Sequence, residues 1–430
     1  MSGTWTKQDK ILPGAYINIL GETPLSIDIG SRGIVALPIE LDWGVKGKIH
    51  KIKNDSDTLS TLGYRVDDII ALREIFKNAI EVLVCKTNSG TKATGQVVAG
   101  VTATATCEGA RGNDINIVVQ EAGSKFDFIT YLDGEIVDKQ TITTFAEFKT
   151  NDYITLSGTG VIGSATVKLS GGKTTSTTQQ EYKACLESLK TFNFNTLAYG
   201  GDDSNVKSDI EKYIKSLREN EGIKVQAVIS NYSCDYEGII IVGNGVVLED
   251  GTELTPGKTC YWVAGATAGA NLNQSNTGKV YQGAIDVVPR LLKEDMEAKT
   301  LEGNIVFKVD NNQRVTLVYD INSLTTFGDK KKKSLRKNRV IRTLDNMAND
   351  ISNIWEYGYK GKIDNNESGR TLYRGDLVEY CKNLQKLNAI ENFTPEDITV
   401  GPGIDSDAMV VQVGVKVVDS AEKLYMTILV

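Results

Sequence analysis

Between Thr94 and Lys173 the chain nearly stops using helix formers and turns to Thr, Gly, Val and Ala, whereas the segments on either side alternate strand-like and helix-like patterns. An α/β pattern that stops and then resumes implies an insertion with a core of its own. Inside the interruption, GARGNDINIVVQ reads as a Gly-bounded turn leading into a strand that carries Ile115, Ile117 and Val119. FDFITYLDGEIVDKQTI reads as a hairpin turning at Asp133-Gly134, and LSGGKTTSTTQ as the linker out. Residues 94–173 are therefore expected to form an all-β domain, a small sandwich, inserted into an α/β domain made of residues 21–93 and 174–326.

The flanks supply the α/β part. A strand is predicted around Gly33 to Leu37, then a helix from about Asp67 to Lys77. Its apolar face would be Ile69, Leu72, Ile75 and Phe76, and its outer face Ile70, Arg73, Glu74 and Lys77. The strand EVLVCK follows. After the insertion, Ile210, Tyr213, Ile214 and Leu217 keep helical spacing behind a Ser208 cap; Gly222 stops the helix, and Val225 to Ile229 and GIIIVGN read as buried strands. Thr255-Pro256 opens a further helix, whose small residues GATAGA would let neighbours approach closely. NIVFKVDNNQRVTLVYDIN reads as a hairpin turning at Asn311-Asn312. The last hundred residues are helical first: Val340, Leu344, Met347, Ile351 and Ile354 recur at spacings of 4, 3, 4 and 3, and Leu377, Cys381 and Leu384 mark a second helix. An α+β domain is expected over 327–413.

Both chain ends are apolar and extended. ILPGAYINIL alternates after a Pro-Gly break, and the terminal KLYMTILV carries apolar groups on both faces with no chain after it to cover them. Termini ordinarily fray into solvent and are polar.

Several function classes drop out on residue counts. His50 is the single histidine, set among lysines in KGKIHKIKN, so Ser-His-Asp, Cys-His and HExxH chemistry would all have to use it. It reads as a structural histidine, and no catalytic, cofactor or metal residues are nominated. The six cysteines form no CxxC pair and read as small buried hydrophobes of a reducing compartment. A net charge of −7 argues against general nucleic-acid binding. MSGTWTKQDK lacks the pattern of a signal peptide, and no run approaches the ~18 apolar residues of a membrane span. GNGVVLEDG lacks the third glycine and the lysine of a phosphate loop, GATAGA lacks GK[ST], and Asp202-Asp203 and Glu249-Asp250 read as solvated turns. The basic run KKKKSLRKNRVIR opposes the dipole of the helix it precedes. Its Lys331, Lys332, Lys333, Arg336, Lys337 and Arg339 are candidates for docking on an anionic protein surface.

In order along the chain, LPGAYINI, RGIVALPIELDWG, GARGNDINIVV, LSGGK, WVAGATAGANLNQSNT, VTLVYDINSLTT, GKIDNN and VDSAEKLYMTILV together resemble contractile tail sheath proteins. The relevant members are those of myophage tails and of the phage-tail-like bacteriocins of Gram-positive bacteria. Ser323 stands where the family pattern has Thr.

The resemblance implies a subtilisin-like α/β domain without catalytic residues, an inserted β-sandwich, and an α+β C-terminal domain facing an inner tube. It also implies an N-terminal arm at 1–20 and a C-terminal arm at 414–430 that exchange strands with neighbouring copies. The arm residues would be Ile11, Pro13, Gly14, Tyr16, Ile17 and Ile19 at one end, and Val413, Val415, Val417, Leu424, Tyr425, Met426, Ile428 and Val430 at the other. Implied partners are further copies in a helical array, a tail tube protein, and baseplate and tail terminator proteins, with no cofactor, nucleic acid or membrane insertion. Assembly would take place in the host cytoplasm before the subunit joins a tail or a released particle. The alternatives are a catalytically degenerate α/β hydrolase and the sheath of a related secretion system.

Overall fold

The computed structural model describes residues 32–329 and 331–429, and the backbone of Ser2–Gly3 and Ala15–Tyr16, which pair in parallel. The centre is a seven-stranded sheet in the order Asn304–Ile305, Ile239–Val242, Gln226–Ser230, Thr196–Ala198, Ile34–Ile39, Glu81–Lys86, Ile49–Lys53. All neighbours pair in parallel except the last two, which are antiparallel. Parallel strands buried on both faces need apolar residues at consecutive positions, and IIIV and EVLVCK supply them. Side chains then sort by parity. Val35, Leu37, Val82, Val84, Val228 and Ile240 face one core, and Ala36, Leu83, Cys85, Ala227, Ile229 and Ile241 the other.

Helices cover each face. On the first lie α1 (Ile70–Phe76) and, further along the chain, the helix Pro256–Gly269; on the second lie α2 (Gln179–Leu189) and α3 (Ser204–Glu219). Pro256–Gly269, called α4, starts as expected, with the Thr255 hydroxyl accepting from Lys258 N–H at 3.3 Å and Pro256 in its first turn. Its glycines allow the close approach that GATAGA suggested. A Cβ on Gly265 would meet the Ile75 carbonyl oxygen, and one on Gly269 that of Asn78.

Other details differ from expectation. The first helix is shorter than Asp67 to Lys77: a 3₁₀ turn, Val66–Asp68, precedes α1. Glu74, expected outside, is fully buried, because Lys77 Nζ and the Tyr281 hydroxyl both donate to Oε2 at 2.8 Å. The cap of α3 is Asp203, accepting from Asn205 N–H at 2.8 Å, so Ser208 lies inside the helix.

The β-insertion is a sandwich. Four strands, Glu135–Ile142, Lys125–Leu132, Ile115–Ala122 and Ala165–Lys168, face three, Ile154–Gly158, Val101–Ala105 and Thr94–Val98. Asp133 and Gly134 both take positive φ, 55° and 82°, the conformation a two-residue hairpin demands. Where chain enters and leaves the sandwich, Gly90–Thr91 pairs antiparallel with Lys173–Thr174. A Cβ on Gly90 would strike the Lys173 carbonyl.

The C-terminal part packs α6 (Asn338–Asn353) and α7 (Glu367–Lys386) against Leu272 and two short strand pairs; α5 (Lys293–Leu301) is the surface helix before them. The spacing Val340, Leu344, Met347 predicted one apolar face on α6. The helix is instead covered nearly all round, with Val340 and Met347 buried, Leu344, Ile351 and Ile354 half-buried, and Arg342, Thr343, Asp345 and Asn346 buried as well. The polar side faces the α/β body: Arg342 donates to the Thr267 and Gln274 carbonyls and lies 3.6 Å from Asp320.

Candidate assembly surface

The C-terminal segment crosses its own domain before leaving it. Met409–Val413 pairs with Ile398–Pro402, and Lys416–Val417 with Ile390–Glu391. Val418 N–H then donates to the Ala389 carbonyl at 3.0 Å. Two residues on, the Ser420 hydroxyl accepts from Arg339 Nη1 at 2.7 Å. Two further on, Glu422 forms an ion pair with Lys337, both side chains 8 % exposed, and accepts from the Ser275 hydroxyl at 2.8 Å. The period of two is that of an extended chain lying flat on a surface. Beyond Lys423 this ends: Leu424, Tyr425, Met426, Ile428 and Leu429 are 71–91 % exposed. Scattered apolar residues on a surface are ordinary, but five in six consecutive positions are not.

Among the arm residues named from sequence, Ile11, Pro13, Gly14, Ile17, Ile19 and Val430 lie outside the described residues, and only the backbone of Tyr16 is described. Val413, Val415 and Val417 need correcting. They pair or pack within their own chain, half-buried against the core around Leu377 and Ile398, because the hairpins at Ile390 and Ile398 lie beside them in the fold. The exposed part of the terminus starts at Lys423. Within the described residues, Ile398–Pro402 and Met409–Val413 pair only with each other, so each keeps an edge with no strand on it.

The basic run also divides. Lys332 and Lys333 are exposed, and Lys331 pairs with Glu237 at 2.8 Å over the Tyr236 ring. Arg336, Lys337 and Arg339, expected to face an anionic partner, are turned inward. Arg336 donates to the Thr300 and Leu301 carbonyls at the end of α5, where a helix is negative. Lys337 meets Glu422 with its ammonium 4.2 Å from the centre of the Tyr319 ring; Arg339 reaches Ser420 and the Asn388 carbonyl. Burial pulls all three cations below their ordinary pKa, and Asp419 works against that pull at Lys337 and Arg339. Sequence inspection missed Glu422 and Ser420. The available signal was two acids, Asp419 and Glu422, on either side of Ser420 in an otherwise largely apolar end, opposite in sign to the run.

His50 sits half-buried on the edge strand Ile49–Lys53, its pKa lowered by burial and by Lys48, opposite Val84. A crevice does open at the carboxyl ends of the strands, lined by Glu40, Tyr182, Tyr199, Gly200, Asp202 and Asp203. Its acids are engaged locally: Glu40 accepts from Thr177 N–H at 2.6 Å, Asp203 caps α3, and Asp202 lies 3.7 Å from Lys207. Asn244 of GNGVVLEDG is buried and ties the Phe307 N–H and carbonyl, a structural role. Among the described residues no group of three or more His, Cys, Asp or Glu could hold a metal ion, and no helix is long and apolar enough to cross a membrane. Cys260 and Cys381 are buried thiols, but Cys85 and Cys185 are joined in a disulfide with Cα atoms 6.4 Å apart. A strand and a helix 100 residues apart bring those two together, which spacing along the chain does not reveal.

Four family models match in succession: the tail sheath protein Gp18 domain III N-terminal region over 32–86, the phage tail sheath β-sandwich domain over 88–175, the central domain over 175–323 and the C-terminal domain over 330–430. The Bacillus subtilis phage-like element PBSX protein XkdK is 35 % identical over 99 % of both chains. The structure of a sheath tail protein from Desulfitobacterium hafniense is 40 % identical and superposes with a TM-score of 0.87, covering 96 % of this chain and 99 % of that one. A chain of the anti-feeding prophage helical sheath in its contracted state, 13 % identical, shares the fold at a TM-score of 0.60, with 98 % of this chain and 99 % of that one covered. With relatives matched end to end and a sheath domain assigned to each part of the fold, the chain belongs to the phage tail sheath protein family, a family of structural tail proteins.

Proposed function

We propose that the subunit polymerises helically around a tail tube by lending its terminal segments to neighbouring copies, and that the array contracts from a metastable extended state to drive the tube through a target envelope. The exposed Leu424–Leu429 carries this reading. A strand with apolar groups on both faces needs a sheet edge, and the hairpin Ile398–Pro402/Met409–Val413 has edges to give. Strand addition from one copy to the next is a head-to-tail contact that does not close, which generates a helix of subunits. Contraction would then be rigid-body movement between two packings of the same subunits, driven by their free-energy difference and using no nucleotide.

The α/β body acts as a subtilisin-like scaffold without catalytic residues, consistent with its one histidine on an edge strand. Lys331, Lys332 and Lys333, the outward part of the basic run, face the tube. Baseplate and terminator proteins bound the array at its ends, and assembly takes place in the host cytoplasm. Residues 94–173 form the inserted domain, 327–413 the tube-facing domain and 1–20 the second arm. Removing Leu424–Val430 tests the reading by negative-stain microscopy. Tubes or rings from the full chain and none from the shortened one are expected; equal tubes from both would overturn it.

A further inference from the structure

The start of α6 and the strap 418–422 form one contact, and it fixes where the free terminus begins. Glu422 is the last residue held. Its carboxylate is buried, which is costly unless a cation and donors meet it, and Lys337 and Ser275 do so. Lys337 is equally buried, sits over Tyr319 and shares that ring with Lys423, whose ammonium lies 5.9 Å from its centre. Arg339 holds Ser420 one step earlier, and Val418 is tied before that. The next residue after Lys423 is exposed, as is everything described beyond it.

We propose that the Lys337–Glu422–Ser275 clasp, with Arg339–Ser420 behind it, is a length stop for the C-terminal arm. An arm released from Gly414 would span up to about 55 Å, whereas one released after Lys423 spans about 23 Å at ~3.3 Å per residue. The stop confines the arm to a copy in direct contact and raises its effective concentration at that copy's sheet edge. Lys337, Arg339, Ser420 and Glu422 are thus positioning residues for strand exchange, and Lys337 and Arg339 of the basic run hold the arm rather than meet the tube. This inference rests on the arm-exchange reading above.

Trypsin with mass spectrometry reads the stop directly. In the wild-type subunit cleavage is expected after Lys423 and not after Lys416. In Glu422→Gln, cleavage after Lys416 is expected to rise at least tenfold, since proteolysis follows the opened population. The swap Lys337→Glu with Glu422→Lys should restore protection, and the apolar pair Lys337→Met with Glu422→Leu guards against a fold defect caused by an unpaired buried lysine. Calorimetry should give the same body transition in all variants that are scored. On microscopy, Glu422→Gln should give irregular or branched assemblies. Wild-type protection of Lys416 together with regular tubes in Glu422→Gln would overturn the stop. If the arm-exchange reading is itself at fault, the chain lacking Leu424–Val430 forms normal tubes whatever the clasp does, so the two failures are distinct.

Discussion

Arg218 and Asp345 stand 127 positions apart and meet in a two-pronged ion pair, at 2.5 Å and 2.9 Å, with Arg218 also donating to the Val225 carbonyl. Burial opposes the Arg218 charge, and Asp345 more than offsets it, so the guanidinium pKa is raised. Removing one partner leaves a buried charge alone, which costs about 3–5 kcal/mol. Asp345→Ala should therefore lower the denaturation midpoint markedly, and Arg218→Met with Asp345→Leu should recover most of the loss; chemical denaturation followed by circular dichroism measures both. Glu181 gives a pH-dependent counterpart. It closes a capping box with Thr178 at the start of α2 and accepts from Lys46 and the Ser89 hydroxyl, and these partners, Lys46 foremost, hold its pKa at about 2. A depressed carboxylate stabilises the fold above its ordinary value near 4.5 and loses that contribution as pH falls from there towards 2. Glu181→Gln should remove part of the stability difference between pH 5 and pH 2.5, as thermal melts at the two pH values would reveal.

At the level of elements, local pattern was legible where local physics decides it. Asp133-Gly134 has the two positive-φ residues of its hairpin, and Thr255-Pro256 starts its helix. The helix of small residues is also as written, and Gly269→Val should destabilise the protein by about 1–3 kcal/mol or more, because its Cβ meets backbone that cannot move aside; a denaturation series with Gly269→Ala measures it. What was not legible is what faces a charge. Glu74 and Lys337 read as surface residues, yet their partners Tyr281 and Glu422 lie far off in sequence, and Arg342 is buried beside Asp320 on another element. The same holds for Cys85 and Cys185. A helix such as α6, packed between two bodies, shows one apolar stripe in sequence while its polar side is buried against Thr267, Gln274 and Asp320.

For the whole molecule, the interrupted α/β pattern gave the inserted sandwich, and the apolar terminus gave the candidate surface. The extent of that surface was misjudged at its inner end, since Val413, Val415 and Val417 satisfy the same alternation but find partners at home. An extended, apolar, alternating segment reads the same whether its sheet is its own or a neighbour's. The measurement that tests the central claim most directly is a helical reconstruction of tubes formed by the full chain. The account predicts Leu424–Leu429 running as a strand along an edge of the Ile398–Pro402/Met409–Val413 hairpin of another copy. The same segment folded back on its own subunit, with those hairpin edges bare, would contradict it.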